Sequence, residues 1–205
     1  MRKKTAKKKS ARWYWILGSL IVSLLLYITF VLWQQYRNSE AARFAMYAGF
    51  GIELPLGYAI HGIDVSYYQQ MIYWPSVQKM NEDDVNIHFA FIKATEGISN
   101  SDKLFKRNWE KTKESGITRG AYHFFIATKD GRAQAKNFIR HVKMLPGDLP
   151  PVLYVEEHYG VSAAVLQMRI KDFLQTVEDA YKVKPIIYSN ASFYNNYLGE
   201  SFNEY

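Results

Sequence analysis

The spacing of apolar residues changes twice along this chain of 205 residues. Over residues 13–33 the run WYWILGSLIVSLLLYITFVLW carries no charge and has no polar face, which predicts one unbroken apolar helix. Residues 34–59 have weak periodicity, with three glycines and one proline, and read as a short stalk. From residue 60 onward, short apolar runs alternate with helical stripes. The runs are IHGIDVS (60–66), NIHFAFIKATEG (86–97), ITRGAYHFFIA (117–127), PPVLYVEE (150–157) and KPIIYSN (184–190). The clearest stripe is 162–182, where Leu166, Ile170, Phe173, Leu174, Val177 and Tyr181 recur at helical spacing behind a candidate Ser162 cap. Stretches 103–115 and 132–143 also read as helices. Strands alternating with helices predict βαβ units and a mainly parallel sheet. Residues 60–205 accommodate about five such units at roughly 30 residues each, not eight. Two α/β architectures fit that length: an open doubly wound sheet, or a barrel that lacks part of its wall.

Charge and composition narrow the partners. Seven of the 26 basic residues lie in 1–12 and none in 13–33, which leaves 19 to balance all 19 acidic residues in the rest. The folded part is therefore neutral, and nucleic acid is set aside as a partner. As a helix, residues 13–33 extend roughly 30 Å, the thickness of a bilayer's hydrocarbon core, with tryptophans at both ends for the interfaces. A cleaved signal peptide is the rival reading. The run is longer than an ordinary signal core, however, and no A-x-A-like site follows at once. The expectation is a single-pass anchor in the lipid bilayer through 13–33. By the positive-inside rule the basic tail 1–12 is cytoplasmic and residues 34–205 lie outside the membrane. With no cysteine in the chain, neither a disulfide nor a thioester-linked lipid forms.

The candidate chemistry starts at PPVLYVEEHYG (150–160). Strand alternation sends Val152, Tyr154 and Glu156 to one face and Leu153 and Val155 to the other, so an acid ends the strand two residues beyond a tyrosine. Carboxyl ends of strands are where α/β enzymes keep their reacting groups. HGIDVSYYQ followed by Trp74, then FAFIKATEG, FKRNWEKTKESGITRGAYHFF, LPPVL-x-VE and KPIIYSN, in that order, resemble glycoside hydrolase family 25, the lysozymes or N-acetylmuramidases. The resemblance implies a TIM-like β/α barrel, here incomplete, with about five βα units preceded by the transmembrane helix. It implies an acidic groove at the carboxyl ends of the strands. The implied reaction is hydrolysis of the β-1,4 bond between N-acetylmuramic acid and N-acetylglucosamine in peptidoglycan glycan strands, without metal or cofactor. Position by position, Asp64 matches the acid of the first strand and Glu156 the proton-donating glutamate. Tyr154 stands where the family has an aspartate. The family's last strands, with a further active-site aspartate, follow a segment like SFNEY (201–205), so they are expected to be missing here.

Glycoside hydrolysis needs one group to protonate the departing oxygen and another to stabilise or attack the anomeric carbon. An aspartate at 154 would lie about 6.5 Å from Glu156 along the strand and raise its pKa by like-charge repulsion. A phenol with a reference pKa of about 10 brings no such charge. Weak or absent lytic activity is therefore expected, and a non-catalytic glycan-binding relative is the alternative. Asp64 alone could equally cap a turn, and Glu96 reads as a groove-lining, substrate-binding residue before a member of an exposed Lys93–Glu96 pair. Tyr122, Tyr188 and Trp74 are candidates for stacking on sugar faces, although aromatics at strand ends are more often core. His123 reads as a packed histidine before a catalyst. The five histidines have no metal-ligand spacing, so no metal site is expected.

Overall fold

The computed structural model describes residues 10–41 and 44–205, and the first nine residues of the predicted basic tail lie outside the described residues. The chain divides into two compact units, 1–58 and 59–205. In the first, α1 (Ser10–Ala41) contains a stretch, Trp13–Arg37, long and apolar enough to cross a bilayer. No described side chain of that stretch is buried, as the side chains of a soluble core helix would be. A two-stranded antiparallel hairpin follows, β1 (Phe44–Tyr47) with β2 (Ile52–Pro55), inside the segment that the sequence presents as an aperiodic stalk.

In the second unit, five strands run parallel: β3 (His61–Val65), β5 (Val85–Glu96), β7 (Thr118–Phe124), β8 (Val152–Tyr154) and β9 (Ile186–Tyr188). Two short strands, β4 (Asn81–Glu82) and β6 (Asn100–Ser101), pair antiparallel with β5. The spatial order 3-5-7-8-9 follows the chain without reversal. A doubly wound sheet reverses its strand order at a switch point, whereas a barrel wall does not. The sheet is accordingly a curled half-barrel, which decides between the two architectures that length leaves open.

Helices α2 (Trp74–Gln78), α3 (Phe105–Glu114), α4 (Gly131–His141) and α5 (Ala163–Tyr181) connect the strands. Asp130 caps α4 by accepting from the Ala133 amide at 2.8 Å, and Ser162 caps α5 by accepting from Val165 at 3.4 Å. The end of α5 is set by Lys182, whose φ of 58° ends the right-handed turn. Helices α4 and α5 approach so closely that a Cβ on Gly131 would fall 1.9 Å from the Arg169 carbonyl oxygen, which excludes any larger residue there. The core lies on the convex side of the sheet. Ala90, Ile92, Ala94, Ala121 and Leu153 alternate onto that side and close against Phe138, Leu166, Ile170, Phe173 and Val177. The polar ends of this layer are matched. Arg119, 5% exposed, donates to Asp148 at 2.7 Å and to the Trp109 carbonyl at 2.6 Å, and lies over the Trp109 ring.

Candidate active site

The other face of the same strands is concave, and strand alternation fills it. Gly62 and Asp64 come from β3, Phe89, Phe91 and Lys93 from β5, Tyr122 and Phe124 from β7, Tyr154 from β8 and Tyr188 from β9. Two glycines make room for the rings. A Cβ on Gly62 would meet the Phe89 ring at 2.2 Å, and one on Gly120 would meet Phe91 at 2.3 Å, so these rings lie flat across neighbouring strands. Together they leave a cavity of about 290 Å³, lined by Asp64, Phe89, Phe91, Tyr122, Tyr154 and Tyr188 among others.

At the carboxyl ends the register breaks once. Lys93 is opposite Tyr122, but Thr95, not Ala94, is opposite His123, a β-bulge in β5. In a regular strand, residues three apart point to opposite faces. The bulge turns both Ala94 and Thr95 inward to the core and brings Lys93 and Glu96 to the concave side, where they pair at 2.6 Å. The buried Lys93 ammonium also lies 4.7 Å from the centre of the Phe124 ring.

Tyr154 stands at the middle of the array. Its ring stacks on Tyr188 at 4.7 Å and on Phe124 at 5.3 Å, with Tyr122 at 5.7 Å. Its hydroxyl donates to Glu156 Oε2 at 2.7 Å. Burial, followed by the Glu156 hydrogen bond and charge, pushes the Tyr154 phenol well above its ordinary pKa. Tyr122 is raised chiefly by burial and then by Asp64. Tyr188 is raised by burial, then by Glu156 and Asp64. Asp64 lines the cavity together with Tyr154 and Tyr188, and Glu156 is hydrogen-bonded to Tyr154. The direction of these shifts also decides what Tyr154 is not. A tyrosine nucleophile needs its phenolate within reach of neutral pH, and every neighbour here opposes ionisation.

Trp74 is elsewhere. It is 1% exposed, belongs to the core, and donates its indole N–H to Asn108 Oδ1 at 3.2 Å, so it offers no face to a sugar. His123 is fully buried between Thr95 and Gln134, with its pKa lowered to about 3, chiefly by desolvation. Gln134 Oε1 is an acceptor for Nε2–H, which leaves Nδ1 to accept from the Thr95 hydroxyl at 2.7 Å. That is a neutral structural histidine. Among the described residues no three His, Asp or Glu side chains gather as metal ligands would. The lining rings Phe89, Phe91 and Phe124 escape motif reading, although glycines inside two strands are a signal of close approach.

Residues 63–205 match the glycosyl hydrolases family 25. The chain belongs to that family. It is 46% identical over 156 residues to the uncharacterized protein YegX of Escherichia coli K12, covering 76% of this chain and 57% of YegX. It is 35% identical to Lysozyme M1 of Streptomyces globisporus, covering 68% of this chain and 49% of that one. Among solved structures, a family 25 glycosyl hydrolase from Bacillus anthracis superposes with a TM-score of 0.64 at 34% identity, over 69% of this chain and 65% of that chain. The chain thus spans a little over half the length of YegX and about half that of Lysozyme M1. The curled half-barrel described above matches the family 25 fold.

Proposed function

We propose that residues 60–205 engage the glycan strands of peptidoglycan, with Glu156 and Asp64 as the acids of a muramidase-type site for the β-1,4 bond between N-acetylmuramic acid and N-acetylglucosamine. Glu156 is the proton donor to the departing oxygen, and Asp64 supports the developing positive charge at the anomeric carbon. Tyr122 and Tyr188, with Glu96, line the sugar path. The first apolar stretch, 13–33, holds this domain on the outer side of the cytoplasmic membrane, with 1–12 inside. No cofactor enters the reaction.

Hydrolysis by this site is slow, and the observation that carries this reading is the 2.7 Å hydrogen bond from Tyr154 to Glu156. It occupies one oxygen of the acid with a neutral donor at the position where family 25 places an aspartate. The site then lacks one negative charge, and the phenol competes with a substrate oxygen for one of the two Glu156 carboxyl oxygens. Missing electrostatic stabilisation of this kind lowers rates on the order of a hundredfold or more. Release of reducing ends from purified peptidoglycan tests it. Tyr154→Asp is expected to raise the rate by about a hundredfold, and adding Glu156→Gln is expected to abolish the gain. An unchanged rate in Tyr154→Asp overturns the role given to Tyr154. Binding without cutting is the second reading, favoured by the cluster of four rings on the concave face, in which Tyr154 stacks on Phe124 and Tyr188. A site with no turnover but saturable glycan binding, weakened by Tyr188→Ala, is the result that supports it.

A further inference from the structure

The segment between the apolar helix and the domain carries its own surface. From Phe44 to Tyr58 the sole charged residue is Glu53. Strands β1 and β2 fold this segment into a hairpin whose turn holds Gly51 at a φ of +69°. Several of its large apolar side chains are turned out, with Phe44 50%, Met46 63%, Ile52 52% and Leu56 49% exposed. A single two-stranded hairpin is at best marginal in water, and contiguous exposed apolar side chains mark a surface that is covered by something.

What covers it follows from where the hairpin starts. The uncharged run ends at Trp33, and α1 continues for eight residues to Ala41, a rise of about 12 Å. A bilayer's headgroup zone is roughly 5–8 Å deep on each side of its hydrocarbon core. The hairpin therefore begins a few ångströms above that zone, near enough to fold back onto it. Its mixture of phenylalanine, tyrosine, methionine and aliphatic residues, almost without charge, suits the boundary between headgroups and acyl chains. We propose that residues 44–58 form an interfacial anchor that lies in the outer headgroup region, a second membrane contact beyond the helix. This rests on the reading of 13–33 as a membrane span. The consequence is reach: fully extended, residues 34–59 would bridge up to about 90 Å, whereas a hairpin held at the surface surrenders most of that length.

The absence of cysteine makes the test direct. Full-length chains carrying Ser23→Cys, Met46→Cys, Ile52→Cys or Lys113→Cys are labelled with an environment-sensitive fluorophore. They are reconstituted in phosphatidylcholine–phosphatidylglycerol vesicles that contain lipids spin-labelled near the headgroup. Labels at 46 and 52 are expected to shift to the blue and to be quenched severalfold more than the label at 113. If the labels at 46 and 52 behave like the one at 113 while a deep lipid quencher reaches position 23, the span stands and the interfacial anchor is overturned. If position 23 is not reached either, the span fails and the anchor with it. A blue shift at 46 and 52 without lipid quenching assigns the hairpin to a protein surface, a second copy included, and also overturns it.

Discussion

On the convex face of the sheet, Ala90, Ile92, Ala121 and Leu153 are sealed under helices, and the one ionisable ring among them, His123, is held neutral. One residue away along the same strands, Phe91, Tyr122, Tyr154 and Tyr188 look into an open cavity beside Asp64, and Tyr154 donates to Glu156. The two faces of the same strands have opposite fates. On the first, small and branched side chains interdigitate with a second layer. On the second, large rings lie flat over glycines and no second layer covers them. Helix packing makes one face the source of stability and leaves the other free to meet a ligand.

The contrast is broken most sharply by truncating one ring on each side. Phe173 is 1% exposed and touches His123, Phe125 and Phe138, so Phe173→Ala is expected to cost about 3–5 kcal/mol in denaturant unfolding. Tyr188 is 49% exposed, and Tyr188→Ala is expected to cost well under ~1.5 kcal/mol while weakening glycan binding. Equal costs at the two positions would erase the distinction between the faces.

An intermediate effect comes from acid. His123 has a folded pKa of about 3 against an ordinary value of 6.5. The unfolded chain therefore takes up the proton first, and stability is unaffected above about pH 6.5 and falls between there and pH 3. Going from pH 7 to pH 5 is expected to remove about 2 kcal/mol on this account. Urea midpoints measured across that range check it. A His123→Gln variant should have a lower stability at pH 7 and a flatter dependence.

The smallest effect belongs to the concave face. Tyr154→Phe removes the hydrogen bond to Glu156 but keeps the ring stacked between Phe124 and Tyr188. Its expected cost is within about 1 kcal/mol, read as a small shift in the urea midpoint. A loss of several kcal/mol would mean that the hydroxyl belongs to the structural side of the sheet.

How much of this was legible beforehand depends on the kind of signal. Apolar runs and helical stripes placed the five parallel strands and α3 to α5 within a few residues, because period and caps are local properties. The hairpin at 44–55 is not written in the apolar period, because its strands are four residues each. Trp74 stands in a motif that points to the sugar path and is in the core, since its neighbours in sequence do not fix its direction. Strand period alone does not fix whether Lys93 and Glu96 share the groove side. Only the bulge at Ala94 resolves it, and a bulge appears when two strands are set side by side.

The sequence by itself determined the order of the parallel strands and their connecting helices, the membrane-length apolar stretch, the family and the presence of tyrosine at 154, because each is written in local period, composition or motif. The tertiary structure decided that the sheet curls without reversing, that Tyr154 donates to Glu156, and which rings share the cavity. Those depend on strand neighbours and on a single register shift. Contacts between residues distant in the chain are set by packing, and the chain's local pattern does not encode them.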